Sequence, residues 1–181
     1  MRFPNYDLEP LVVITPISLE SIGGCHQYGG TALGNFAGAA WAPLANVALY
    51  FPFTVTKPVT ATQMFCVNGA AVNGNVDVGI YSADGTRLVS IGPTAQTGTS
   101  AIQAFNITDT TFGPGLFYMA MVSSGDGTER FHRGTVGVIP HLVAAGCAQQ
   151  GSAGTLPATA TFATIAFNYV PLFGLTTRSV I

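Results

Sequence analysis

The chain has 181 residues, a formal net charge of −2 and a hydrophobic fraction of 48%. This length is sufficient for one substantial domain with its own hydrophobic core. The six Lys and Arg residues are too few for a nucleic-acid-binding face, because binding to phosphates requires a cluster of cations. We therefore expect one domain with tails and no nucleic-acid partner.

Charged residues make up only 8% of the chain, against roughly a quarter in ordinary soluble domains. Two long runs, residues 21–56 and 134–177, contain no Asp, Glu, Lys or Arg. The cores of subunit interfaces are depleted in charge, whereas free surfaces normally carry mixed charges. The sequence therefore predicts that much of this surface is covered by other subunits.

A membrane span is the competing explanation for an uncharged run, and residues 36–53 are the best candidate. This stretch contains Gly38, Pro43, Asn46 and Pro52, and its last part alternates like a strand, so it does not resemble a spanning helix. The first ten residues carry acids and lack a basic region followed by an apolar one. We expect neither a membrane partner nor a secretion signal, and we expect synthesis in a cytoplasm.

Residues 1–40 are predicted to form an extended arm followed by a glycine-rich linker. Pro4, Pro10 and Pro16 exclude a helix, and an edge strand is expected over residues 11–15. Such an arm is expected to lie on its own domain, on a sister subunit or on a larger assembly. The residues predicted to contact a larger assembly or other subunits are the apolar residues of the arm, Phe3, Tyr6, Leu11, Val12, Val13 and Ile14.

Residues 41–181 are predicted to form the domain, an antiparallel β-sandwich of about eight strands. Pro52 indicates that the strand over residues 47–55 is an edge strand or contains a bulge. A strand that is apolar on both faces, residues 116–122, is expected between two layers. Residues 141–150 are predicted to be either a short helix or a long loop. The other predicted strands cover residues 59–67, 75–82, 87–91, 101–107, 134–139 and 159–169.

Residues 75–91 give the strongest local signal, a β-hairpin whose turn is formed by Asp84 and Gly85. The first strand alternates an apolar set with a more polar set, Val76, Val78 and Ile80 against Asp77, Gly79 and Tyr81. This alternation predicts one face towards the core and one face towards solvent. The hairpin is therefore expected in a solvent-facing region of the domain.

No catalytic motif is present, since the sequence lacks a Gly-x-Ser-x-Gly elbow, a His-Glu-x-x-His motif and a plausible acid pair. The three cysteines are far apart and are expected to be free, buried thiols. The histidines are not at metal-ligand spacing, and residues 123–129 are expected to form an exposed turn. We expect no enzyme activity, no cofactor and no metal ion.

Aromatic residues on the predicted strands and loops offer one kind of binding site. Trp41, Tyr50 and Tyr81 are candidates for stacking on a sugar ring, although Trp41 is better explained as a packing anchor.

Two stretches together resemble a jelly-roll module of bacteriophage virion proteins. The residues that carry the resemblance are 79–81 (Gly-Ile-Tyr) and 84–86 (Asp-Gly-Thr), followed by 114–115 (Pro-Gly) and 117–120 (Phe-Tyr-Met-Ala). The likeness extends over about residues 47–122, and parts of it are shared with carbohydrate-binding and adhesin sandwiches.

The resemblance implies a non-enzymatic structural protein of a phage virion, in a head decoration, a head fibre or a tail fibre. It implies a homotrimer that attaches to capsid or tail subunits through its N-terminal arm. The alternative is a sandwich that binds a cell-surface glycan or receptor. The first interpretation places the protein in the virion, and the alternative makes it a module of a tail fibre or of an adhesin.

Overall fold

The structure is a computed structural model, and it describes residues 12–14, 45–125, 128–129, 131–135, 139–167 and 169–179. The predictions for Phe3, Tyr6, Leu11 and Trp41 lie outside these residues, as does the predicted boundary after residue 40.

The described residues form thirteen strands and one short helix. The strands that come before the helix are β1 (Val12–Ile14), β2 (Val47–Val55), β3 (Val59–Val67), β4 (Asn75–Ser82), β5 (Arg87–Ser90), β6 (Thr94–Ala95), β7 (Ile102–Phe112), β8 (Gly115–Ser123) and β9 (Arg133–Thr135). The helix and the strands that follow it are α1 (Ile139–Ala144), β10 (Ala148–Gly151), β11 (Ala163–Thr164), β12 (Tyr169–Pro171) and β13 (Phe173–Ser179).

Two antiparallel sheets form the body of the domain. One has four strands in the order β1-β13-β3-β7, and the other has seven, with the path β11-β10-β2-β8-β4-β5 and β6 paired to β4. Strands β12 and β9 form a separate two-stranded ribbon. The long strands β2, β3, β4, β7 and β8 alternate between the two sheets along the chain, so the predicted all-β antiparallel sandwich is confirmed.

The main core lies between the two sheets. The seven-stranded sheet contributes the predicted inward set of β2, including Leu49, Phe51 and Phe53, and the four-stranded sheet contributes residues such as Met64 and Phe173. The rings of Phe51 and Phe173 meet across the core with centroids 5.7 Å apart. Period-two alternation therefore identified the face of β2 that packs against the opposite sheet.

A second core lies on the outer face of the seven-stranded sheet. Residues 152–162, which we call the covering segment, run across this face and bury Leu156 among small and aromatic side chains. The members of this core are Ala48, Tyr50, Tyr81, Ala120, Val122, Ala148 and Leu156. Strand β8 is therefore buried on both faces, as predicted, because its neighbouring residues Met119 and Ala120 belong to different cores.

The prediction that one side of the hairpin faces solvent is wrong. The side chains of Asp77 and Tyr81 are completely buried, because the covering segment lies over the face that carries them. A Cβ at Gly79 would lie 2.8 Å from Leu156 Cδ1 and 2.6 Å from the Val89 carbonyl oxygen, so a larger residue does not fit there.

The predicted hairpin itself is confirmed as β4 and β5. Gly85 has a φ of 87°, which glycine adopts without strain, and Asp84 Oδ1 accepts a hydrogen bond of 3.0 Å from the Thr86 amide. Hydrogen bonds from the Ser82 hydroxyl and from Thr86 lower the pKa of the exposed Asp84 carboxyl. The Asp-Gly pair thus forms the turn for the reasons predicted.

The C-terminal third departs from prediction. The strand expected over residues 134–139 is the shorter β9, and Ile139 begins α1 instead. The strand expected over residues 159–169 is only the short β11 and the start of β12, because most of this stretch crosses the sheet or connects strands. The long strand β13 was not predicted. Residues 141–150 contain most of α1, a turn and the start of β10, so the short-helix alternative is correct.

Strand β1 lies at one edge of the four-stranded sheet. Val12, Val13 and Ile14 pair with Thr177, Thr176 and Leu175 of β13, so this part of the predicted arm packs on its own domain. The predicted edge strand is confirmed.

Pro52 lies in β2, where β10 pairs only with Val47 to Tyr50. The prediction of an edge strand or a bulge is therefore wrong for β2 as a whole, since β2 lies between β10 and β8 and pairs with β8 in regular register. The proline is tolerated because it lies beyond the part of β2 that is paired on both sides.

Candidate functional site

The structure places two of the predicted stacking residues inside the protein. Tyr50 and Tyr81 are both 0% exposed, and their rings meet edge to face with centroids 5.2 Å apart. The Tyr81 hydroxyl donates a 2.6 Å hydrogen bond to the Pro157 carbonyl oxygen. Neither ring offers a face to a sugar, because the covering segment occupies that side. The prediction that they are ligand-stacking residues is therefore wrong in this conformation.

The two tyrosines instead support an aromatic surface. Phe162, at the end of the covering segment, is 37% exposed, stacks edge to face on Tyr50 at 5.2 Å and lies 4.5 Å from the half-buried ring of Tyr118. Pro52 is directly opposite Tyr118 in the β2–β8 pairing. We call Pro52, Tyr118 and Phe162 the Phe162 patch. Sequence reasoning missed it because Phe162 was assigned to a long strand.

Gln150 holds the chain beside the Phe162 patch. Its Oε1 accepts a 3.1 Å hydrogen bond from the Tyr50 hydroxyl and a 2.6 Å hydrogen bond from the Thr161 amide. The residue before Phe162 is thereby fixed to β10 by its main chain. The exposed ring is consequently presented from an anchored backbone.

Helix α1, which ends near the Phe162 patch, carries a second set of exposed apolar residues. Ile139 and Val143 of α1 are both exposed and are four residues apart, so they share one face of the helix. A Cβ at Gly146, just after the helix, would lie 3.7 Å from Pro52 Cγ. The end of α1 therefore adjoins the patch, and all of these exposed apolar residues of α1 and the covering segment belong to the uncharged run 134–177.

The surface that the described residues form carries few charges. Two of the charged side chains that the structure describes are buried, and two are half-buried. The buried ones are Asp77 and Glu129, the half-buried ones are Arg87 and Arg133, and the exposed ones are Lys57, Asp84 and Asp109. A free surface of this size ordinarily carries many more charges.

Three side chains of the hairpin anchor the covering segment. Asp77 Oδ2 accepts hydrogen bonds from the Leu156 amide at 2.9 Å and from the Thr155 hydroxyl at 3.2 Å. The Arg87 guanidinium donates to the Leu156 carbonyl oxygen, and the Tyr81 hydroxyl donates to the next carbonyl along the chain. The segment is therefore held by polar contacts as well as by the burial of Leu156.

Asp77 is an unusual anchor because it is a buried carboxylate. Its Oδ1 makes no hydrogen bond of ordinary geometry, although the Ser90 hydroxyl and the Arg87 charge both favour the ionised form. Burial outweighs these contacts and raises the pKa of Asp77 above its usual range.

Burial likewise raises the pKa of Tyr50 to about 12.

The two described cysteines are not activated as nucleophiles, and the described residues hold no metal cluster. Cys66 and Cys147 are buried and unpaired, as predicted, and burial raises the pKa of each thiol to about 12, so neither is a thiolate at neutral pH. Within the described ranges, no group of three or more His, Cys, Asp or Glu side chains is placed to hold a metal ion.

One predicted exposed turn needs correction. Residues 123–129 were expected to be solvated, but the Glu129 side chain is completely buried, and its Oε1 accepts a 2.8 Å hydrogen bond from the Ser123 hydroxyl. The carboxylate lies directly over Gly125, where a side chain would collide with it. Glu129 therefore braces the turn instead of facing solvent.

No family model, no curated protein and no solved structure matches this chain. In the part of the chain that the structure describes, no helix has the length and apolar character needed to cross a bilayer.

Proposed function

We propose that this protein is a non-enzymatic structural subunit that assembles with copies of itself, and that the Phe162 patch together with the exposed face of α1 forms the contact between subunits. The observation that carries the proposal is the shortage of surface charge: of the described charged side chains, only Lys57, Asp84 and Asp109 are exposed. Interface cores are poor in charge and rich in aromatic residues.

The location of the exposed apolar residues supports this assignment. Ile139, Val143 and Phe162 all lie in the same uncharged run, and Gly146, which follows α1, lies beside Pro52 of the Phe162 patch. Scattered single apolar residues are ordinary on monomers, whereas adjoining ones mark contact surfaces.

The assembly proposed is a phage virion, where the chain serves as a capsid decoration or a fibre subunit and forms a homotrimer. Support comes from the sandwich fold and from the jelly-roll resemblance in residues 47–122. In this proposal the residues ahead of β1, including Phe3 and Tyr6, attach the subunit to capsid or tail proteins.

The proposed contact is tested by placing a charge within it. Phe162→Lys should dissociate the assembly in sedimentation velocity, because a desolvated, unpaired ammonium is costly in an interface core. Ile102→Lys is the matched control, since Ile102 is also exposed but lies on β7 of the other sheet. If both variants, or neither, dissociate, the Phe162 patch is not the contact.

The proposed attachment is tested by removing residues 1–10, which leaves β1 and its pairing with β13 in place. The truncated protein should fold and assemble normally but fail to join virions. Incorporation at the wild-type level would contradict attachment through the arm.

A second function, glycan binding, is favoured by one observation. Phe162 and Tyr118 present adjoining aromatic rings at the surface, beside a backbone held by Gln150, and sugar rings stack on such platforms. In this alternative the sugar stacks on Phe162 and Tyr118 instead of on Tyr50 and Tyr81.

A glycan array followed by titration of any positive glycan tests this alternative. Phe162→Ala should abolish binding and Ile102→Ala should retain it. An array without signal at high protein concentration counts against a glycan ligand and leaves the subunit contact as the proposed role of the patch.

A further inference from the structure

The sequence contains two Asn-Gly steps, Asn68-Gly69 and Asn73-Gly74, and the structure places them in opposite environments. Asn68 is completely buried, whereas Asn73 and Gly74 are exposed. In an Asn-Gly step, the glycine nitrogen attacks the asparagine side-chain carbonyl most readily because no Cβ hinders its approach. The reactivity of the two steps therefore depends on how the fold holds each side chain.

The geometry points to Asn73 as a site of spontaneous deamidation in the folded protein, with Asn68 protected from the same reaction. The Gly74 amide nitrogen lies 2.8 Å from Asn73 Oδ1, to which it donates a hydrogen bond. Since Cγ is one C=O bond further on, it lies within about 4 Å of this nitrogen. That separation is close to the roughly 3–3.5 Å of a near-attack arrangement.

The reaction is an intramolecular acyl transfer. The deprotonated Gly74 nitrogen forms a bond to Asn73 Cγ, the Cγ–Nδ2 bond breaks, and Nδ2 leaves with protons from solvent as ammonia. The resulting cyclic imide is opened by water at either carbonyl, which gives aspartate or isoaspartate. No oxidant or cofactor is required, and the rate rises with pH because the attacking nitrogen must lose its proton.

Asn68 is held away from this reaction by its hydrogen bonds. Its Nδ2 donates to the Thr97 carbonyl oxygen at 2.6 Å and to Gln103 Oε1 at 3.0 Å, and its Oδ1 accepts from Gln96 Nε2 at 3.0 Å. Turning Cγ of Asn68 towards the Gly69 nitrogen would break these three hydrogen bonds in the interior of the protein. Asn68 therefore reacts only after local opening of the fold.

The modification changes a contact between two loops. Asn73 Nδ2, the leaving group, donates a 3.1 Å hydrogen bond to Thr128 Oγ1, and the carboxylate that replaces the amide has no hydrogen to donate. Isoaspartate also lengthens the main chain beside Gly74, where a Cβ would already lie 2.7 Å from Gly125 Cα. Deamidation at Asn73 therefore adds a negative charge and loosens the contacts of residues 73–75 with Ser124, Gly125 and Thr128.

The test is peptide mapping by mass spectrometry during incubation of the native protein in mildly alkaline buffer, with isoaspartate detected by enzymatic methylation. Asn73 should deamidate at least about tenfold faster than Asn68, which corresponds to about 1.4 kcal/mol in activation free energy. Protein incubated in denaturant is the reference, because both steps should react at similar rates there. Asn73→Gln should remove the early product, and the rate should rise with pH.

Two results would overturn the inference. An Asn73 that stays intact in the folded protein, while the denatured chain deamidates there, would show that the native geometry blocks attack. Equal rates at Asn68 and Asn73 in the folded protein would show that the hydrogen bonds of Asn68 give no protection.

Discussion

Leu156→Ala tests whether the covering segment is a structural part of the domain. Leu156 is only 1% exposed and packs over Gly79, where β4 carries no side chain, and among the residues of the outer core. Truncating a buried leucine costs about 2–5 kcal/mol, depending on how far the surroundings collapse into the space. The size of the loss thus reports how firmly the segment is held.

We expect a loss of about 3 kcal/mol in the free energy of unfolding, within the range for buried leucine. The main chain on either side of Leu156 is fixed by Asp77, Arg87 and Tyr81, so the segment cannot sink far into the cavity. In a domain of this size, such a loss lowers the melting temperature by roughly 6–12 °C.

The assay is urea denaturation followed by circular dichroism, at one fixed protein concentration because assembly adds to apparent stability. Leu88→Ala is the control, since Leu88 is the same residue type, lies in β5 of the hairpin and is 38% exposed. Its substitution should cost about 0.5 kcal/mol or less. If Leu156→Ala costs no more than Leu88→Ala, the outer face of the sheet has no second core.

Three further predictions concern the same region and the core. Tyr81→Phe should cost about 1 kcal/mol in urea denaturation, because the Pro157 carbonyl oxygen loses its donor. The pKa of the Asp77 carboxyl is raised in the folded chain, so the folded chain binds the carboxyl proton more tightly than the unfolded chain does. The stability that this proton contributes is fully present below the ordinary carboxyl pKa, and it is lost as pH rises through the raised pKa of the folded state. Relative to Asp77→Asn, the wild type should therefore lose stability as pH rises above the ordinary carboxyl pKa of about 4, by about 1.4 kcal/mol for each unit by which the pKa is raised. Parallel profiles of the two proteins would contradict this. Cys66 and Cys147 should resist alkylation at neutral pH in the folded protein and react in denaturant, because each thiol is buried and has a pKa of about 12. Peptide mapping measures the labelling of each cysteine, and rapid labelling of the folded protein would show that the core opens.

The strands of the first two thirds were predictable because their side chains alternate and their turns have specific chemistry. Residues 47–55 and 59–67 match β2 and β3 in full, and the Asp84-Gly85 turn forms as expected. Alternation identifies which residues share a face, but it does not reveal whether the second face is also covered.

The covering segment could not be predicted from local signals. It buries Leu156 and Tyr81 through long-range contacts between residues about 75 apart in sequence, and its backbone is bonded mostly to side chains rather than to a sheet. For the same reason Tyr50 and Tyr81 were placed at a surface that they only support. A hydrophobic aromatic in a strand is consistent with either location, and only the tertiary packing decides between them.

Strand β13 was not predicted because the alternation in residues 159–169 indicates a last strand that ends shortly before it. Its Phe173 and Leu175 do alternate with Gly174 and Thr176, which is a half-buried pattern that a shorter preceding assignment would have revealed. The exposed aromatic ring of Phe162 was misplaced by the same error.

The central claim, that the uncharged surface around Phe162 joins copies of this chain, is tested most directly by the mass of the wild-type protein in solution. Sedimentation equilibrium over a range of dilutions should give three times the chain mass, with dissociation only at the lowest concentrations. A mass equal to that of one chain at every concentration would contradict self-assembly, and with it the role proposed for the Phe162 patch and α1.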